Sequence, residues 1–123
     1  MQPSAELVAF VPSTDLERSR TFYESTLGLS IDEVTPYACV ARSGPTTLRI
    51  TLAKGWTPQP FTVLGWTVGD IRGELASLGR HGVDPLRFDG MGQDGDGVWT
   101  APGGARVAWF HDPDDNVLSF TEF

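Results

Sequence analysis

Apolar positions in this chain fall into short runs that each meet a helical pattern. Leu7-Val8-Ala9-Phe10-Val11 is a nearly continuous apolar stretch, and beyond it Leu16, Tyr23 and Leu27 recur at helical spacing. The pattern predicts a strand over 6–12, a sharp turn, and an amphipathic helix over 15–27. Thr14 with Glu17 fits a capping box, and Asp15 is an alternative cap. Gly28 stands where a helix end wants a residue free to take positive φ, and Leu29 restarts extended chain.

The same unit comes a second time. Val63-Leu64-Gly65-Trp66-Thr67-Val68 meets Asp70, Ile71, Leu75 and Leu78 follow at helical spacing, and Gly82 closes the segment. Asp15 to Gly28 is thirteen positions and Asp70 to Gly82 is twelve. A period of about fifty-five residues suits two half-domains better than a solenoid.

Extended segments are expected near 29–34, 36–42 and 46–53 in the first half. Gly44-Pro45 turns between the last two, and Thr47 to Leu52 alternates polar and apolar. Residues 54–60 read as a linker, with Pro58, Pro60 and Gly55 breaking any regular element. The second half predicts a strand over 62–68, a helix over 70–80, and extended segments near 84–89, 96–101, 105–111 and 117–122. Gly103-Gly104 and Asp112-Pro113-Asp114-Asp115-Asn116 supply turns. The order is close to βαβββ twice, an α+β fold in one domain, with modules 6–53 and 61–123. The glycine-rich stretch 90–97 lacks the context of a phosphate-binding loop and reads as a mobile loop.

Charge changes the picture only by exclusion. Nine basic against sixteen acidic residues give a net charge of −7, which disfavours a nucleic-acid surface and offers no basic face to anionic lipid. The single cysteine, Cys39, excludes an internal disulfide. No stretch approaches the roughly twenty apolar residues of a membrane span, and a cytoplasmic location is the default expectation.

The paired modules, the Asp15-Leu16 to Phe22-Tyr23 to Leu27-Gly28-Leu29 run, and the Asp112-Pro113-Asp114-x-Asn116 turn resemble the vicinal oxygen chelate superfamily. That group holds glyoxalase I, bleomycin resistance and fosfomycin resistance proteins, and extradiol dioxygenases. The resemblance covers residues 6–122, and Asp115 stands where the family usually has glycine. It implies two modules whose sheets curve around a cleft, and a homodimer.

In the metal-dependent members the resemblance implies ligands on the first and last strands of each module. Carried over, those positions fall on Val8, Thr51, Val63 and Ser119. Valine has no lone pair to give. Two lone hydroxyls without anionic or imidazole partners do not hold a divalent ion. Shifting the register by one residue brings in no ligand. No metal and no other cofactor is expected.

Strand alternation supplies the remaining candidates. Phe10 shares a face with Val8, and Arg49 with Thr47 and Thr51. An arginine on a concave sheet is costly unless it meets an anion, a ligand or an internal carboxylate. Trp109 shares a face with Val107 and His111, and Trp99 adds a second flat wall. His111 is either a solvated strand-end residue or a base at the cleft rim. His81 fits a helix C-terminus, the aspartates of 112–115 a tight turn, and Cys39 a core.

The reading that follows is a metal-independent, bleomycin-resistance-like protein that binds a small aromatic or amphipathic organic molecule without transforming it. Alternatives are an enzyme, with His111 moving a proton or with Gln93 and Asp94 swinging in as metal ligands, and a non-catalytic accessory protein.

Overall fold

Each apolar run becomes an edge strand of its own four-stranded sheet. The computed structural model describes residues 1–123, and the chain divides into two units, Met1–Thr57 and Pro58–Phe123. The first unit runs β1 (Val8–Ser13), α1 (Leu16–Thr21), β2 (Ser30–Val34), β3 (Ala38–Ser43) and β4 (Thr46–Leu52). The second runs β5 (Thr62–Thr67), α2 (Ile71–Arg80), β6 (Trp99–Thr100), β7 (Arg106–His111) and β8 (Val117–Glu122). The sheet orders are β1-β4-β3-β2 and β5-β8-β7-β6. In both, the first strand lies parallel to the last, and the remaining pairs are antiparallel. The α+β architecture of two βαβββ modules is therefore present, with hydrogen-bonded pairing confined to each module.

Asp15 caps α1, its carboxylate accepting from Arg18 N at 3.1 Å. Thr14, half of the expected capping box, instead accepts from the Arg18 guanidinium. Asp70 does the same for α2 through Gly73 N, at 3.0 Å. Glu122 adds a second acceptor at Ile71 N, 3.0 Å away, across fifty-one residues of sequence.

The first helix does not continue as α to residue 27. Residues Phe22–Thr26 form a π turn, with Leu27 N donating to Phe22 O at 3.0 Å. Adjacent residues on an α-helix point about 100° apart, so only one of two consecutive aromatics normally faces inward. The wider turn lets both Phe22 and Tyr23 be buried, their rings edge to face at 5.1 Å. Gly28 then takes φ 79°, as the helix end requires.

One face of each sheet is the core. Val11, Leu48, Ile50, Cys39 and Ala41 are buried in the first unit, where α1 packs on β3 and β4. Ala108, Phe110, Leu118 and Phe120 are buried in the second, where α2 packs on β7 and β8. Full burial of the valine, leucine, isoleucine and phenylalanine side chains stabilises by about 1.5–3 kcal/mol each, so these faces fix strand register. Inside the first core, Ser13 and Ser19 join hydroxyls at 2.6 Å, satisfying two polar groups that hydrophobic periodicity alone does not reveal.

Two expected strands differ. Residues 84–89 form no strand. Pro85 has no N–H to give, and the Gln93 side chain takes the Phe88 N–H and the Leu86 carbonyl instead. One bridge survives, from Leu86 N to Trp109 O at 2.8 Å. Of 96–101 only Trp99–Thr100 pairs, because Asp94 folds the preceding residues back by accepting from Asp96 N and Val98 N.

The glycine-rich loop is not loose. Gln93 also donates to Gly97 O at 2.8 Å. Arg87 donates to the carbonyls of Asp94 and Gly95. Arg72 pairs with Asp94 at 2.9 Å and Asp96 at 2.6 Å. Gln93 and Asp94 are consumed in holding the loop, which corrects the expectation that they swing in as ligands.

Candidate functional site

The faces turned away from the helices carry the predicted site residues, except that Val63 falls at a bulge. In the first unit, Phe10 pairs across strands with Arg49, and Val8 with Thr47. Val40 on β3 flanks Arg49 from the other side. Phe10 is 61% exposed and Val8 43%, a contiguous apolar edge that the helix does not cover. Arg49 is exposed and makes no ion pair or hydrogen bond; the internal carboxylate partner considered for it is absent. Thr51 lies two residues along the same face, and its Oγ1 is buried without a hydrogen-bond partner.

In the second unit, Ser119 pairs with Gly65 on one side and Trp109 on the other. Trp99 pairs with Val107, and His111 with Val117. Trp99, Trp109, His111 and Ser119 therefore share one face, as alternation predicts. Trp99 and Trp109 lie 6.1 Å apart at 36°. Phe88 completes an aromatic wall, edge to face on Trp109 at 5.5 Å.

Val63 sits at a register shift between Thr62 and Leu64. This bulge breaks the alternation, so Thr62 pairs with Val117, and its hydroxyl accepts the Trp109 indole N–H at 3.1 Å. Sequence reasoning missed Thr62 and Phe88. The first is hidden by the bulge, and the second lies on a segment expected to be a strand.

His111 Nδ1 lies 3.7 Å from Asp115 Oδ1. The Asp112 carboxylate is turned away from any such role. It is buried and accepts from Asp114 N, Asn116 N and Asn116 Nδ2. Cys39 is fully buried, and burial pushes its thiol above the ordinary value, as suits a core residue rather than a nucleophile.

Two surface cavities lie elsewhere. One, of about 300 Å³, is lined by Arg72, Leu75, Pro85 and Arg87. The other, of about 320 Å³, is lined by Leu16, Arg20, Val34 and Pro36. Neither contains a predicted site residue, and both guanidiniums of the first are already committed, Arg72 to Asp94 and Asp96 and Arg87 to the carbonyls of Asp94 and Gly95.

A family model for the Glyoxalase/Bleomycin resistance protein/Dioxygenase superfamily matches residues 7–120. The chain belongs to that superfamily. Its fold is shared with a lactoylglutathione lyase from Agrobacterium tumefaciens, at TM-score 0.76 and 15% identity over 99% of this chain and 96% of that one. A superfamily member from Sphaerobacter thermophilus DSM 20745 aligns at TM-score 0.75 and 22% identity, covering 98% of each chain. A glyoxalase/bleomycin resistance protein/dioxygenase from Alicyclobacillus acidocaldarius aligns at 0.72 and 19%, over 99% of this chain and 93% of that one. At such identities the likeness shows the fold alone. No curated protein matches the chain.

Superfamily membership raises the question of a divalent metal. The positions where the resemblance puts ligands hold Val8, Thr51, Val63 and Ser119, and no three His, Cys, Asp or Glu side chains gather in a ligand-like group. This donor set does not fit a divalent ion. No helix is long and apolar enough to cross a membrane.

Proposed function

We propose that this superfamily member is a metal-independent binder of small organic molecules, acting by sequestration and working as a homodimer in the cytoplasm. The carrying observation is the substitution of the metal positions. Valines and lone hydroxyls stand there, on open sheet faces that also bear Phe10, Trp99 and Trp109. Flat aromatic walls with a few hydroxyls suit a planar or amphipathic ligand such as a natural product. Both indoles sit on the unit-two face, so a bound ring there alters their emission.

Native mass spectrometry of untagged protein, with and without zinc, nickel, manganese and iron, tests the metal and subunit claims together. The expected result is a dimer with no stoichiometric metal. Tryptophan fluorescence titrations with planar aromatic natural products are expected to show saturable quenching that Trp109→Leu weakens. One tightly held metal per chain would overturn the proposal.

One observation favours a second reading. The His111 imidazole faces a carboxylate at 3.7 Å, on the Trp109 side of the sheet. That pair suits a proton-transferring base in a metal-free lyase or isomerase. Loss of a detected turnover in His111→Ala would support it, and unchanged turnover would remove it.

A further inference from the structure

We propose that the open face of the first sheet selects anionic aromatic ligands, with the Arg49 guanidinium as the anion-binding group and Thr51 Oγ1 as a second polar contact. This deepens the small-molecule-binding reading and rests on it.

Arg49 stands apart from the other arginines. Arg20, Arg42, Arg72 and Arg106 each pair with a carboxylate. Arg87 holds two loop carbonyls, and Arg18 holds the Thr14 hydroxyl. Arg80 is also unpartnered, but it lies in the last turn of α2, where the helix end offers negative partial charge. Arg49 has no such compensation. It projects from the middle of β4, between Phe10 and Val40, in a chain of net charge −7 whose sixteen acidic residues leave it alone. An unengaged guanidinium keeps its whole donor fork, which matches a carboxylate or a phosphate with two parallel hydrogen bonds.

The second observation is independent of charge. Thr51 Oγ1 is buried and has no partner. It is two residues from Arg49 on the same face, roughly 7 Å along the strand. A buried hydroxyl without a partner is unfavourable, and rotation about the Thr51 Cα–Cβ bond toward a ligand oxygen relieves it. Phe10 and Val8, exposed on the adjoining strand, supply apolar surface for the body of the ligand. One guanidinium in a strongly acidic protein is a poor match for a polyanion and a good one for a single acidic group.

The test uses three probes with one ring system: 1-naphthoate, 1-naphthyl phosphate and the neutral 1-naphthamide, titrated into the full chain by calorimetry. At low salt, about 20 mM, at least one anion is expected to bind about tenfold more tightly than the amide, with the preference shrinking as salt rises. Arg49→Gln is expected to weaken the anions to the level of the amide, and Arg49→Lys to restore part of the difference. Lys54→Gln is the control for general charge and is expected to change nothing. Tighter phosphate points to a phosphate monoester as the natural ligand class, and tighter carboxylate to a carboxylic acid. Equal binding of all three, or a preference that survives Arg49→Gln, overturns the anion assignment and leaves small-molecule binding standing. Binding of none of the three overturns both.

Discussion

Ser119 on β8 fills the space that a side chain on Gly65 of β5 would need. The closest approach is made by the hydroxyl oxygen; the Ser119 carbonyl oxygen would lie 3.3 Å from an added methyl, a tight contact, and the Ser119 Cβ 3.7 Å, an ordinary one. Gly65→Ala is therefore expected to destabilise by about 1–2 kcal/mol through overpacking. Ser119→Ala in the same chain is expected to recover most of that. Urea unfolding of the four members of the cycle measures the coupling, and simple additivity would refute the close approach.

The Asp112 turn holds three hydrogen bonds on one buried carboxylate. Asp112→Ala leaves the Asn116 amide and backbone N–H without acceptors, at a cost of about 3 kcal/mol. Asp112→Asn keeps one acceptor oxygen and is expected to cost about half as much. Chemical denaturation ranks the two, and equal losses would show that the retained acceptor oxygen contributes nothing, against the hydrogen-bond account.

Asp94 is held below the ordinary aspartate value of 3.8, first by the hydrogen bond from Arg72 and then by the Val98 amide. A carboxylate whose pKa falls on folding stabilises above its unfolded value, and that contribution is lost as pH drops through the folded value. The 90–97 loop is thus expected to hold at neutral and mildly acid pH and to loosen only below 3.8. Both partners are almost half exposed, so solvent screening keeps the effect local. A carbon-13 titration of the Asp94 carboxyl is expected to give a midpoint below 3.8, moving up in Arg72→Gln. An unshifted midpoint in the unaltered chain would count against the clasp.

Asp115 is the only non-glycine residue with positive φ, at 64°. The left-handed region costs an ordinary L-residue about 1 kcal/mol, and short polar side chains less. Asp115→Ala is expected to lose about 1 kcal/mol of stability. Asp115→Gly is expected to stay within about 0.5 kcal/mol, because relief of strain is offset by a freer unfolded chain. Thermal melts of the three proteins decide it.

What the sequence reveals here follows the range of the forces involved. Asp15, Gly28, Asp70 and Gly82 act within one helical turn, and each marks its boundary from local pattern alone. The faces of β4 and β7 follow from alternation, so Thr47, Arg49 and Thr51 on one strand and Trp109 and His111 on the other are readable before any fold is known, whereas the register that sets Trp99 and Ser119 beside them is not. Contacts made at a distance are not. The bonds from Arg72 to Asp94 and from Gln93 to Leu86 turn a predicted strand and a loose loop into a stitched one. Likewise, nothing local in Val63 announces the bulge that brings the Thr62 hydroxyl to the Trp109 indole N–H.

The π turn explains why the two modules differ in length between their aspartate and glycine anchors, thirteen positions against twelve. If both descend from one duplicated ancestor, the first has taken an insertion inside a helix rather than in a loop. The anchors stayed where they were, and the widened turn absorbed the extra residue while turning a second aromatic inward. Deleting one residue from 22–26 would undo that step, returning an unbroken α-helix and sending either Phe22 or Tyr23 back to water.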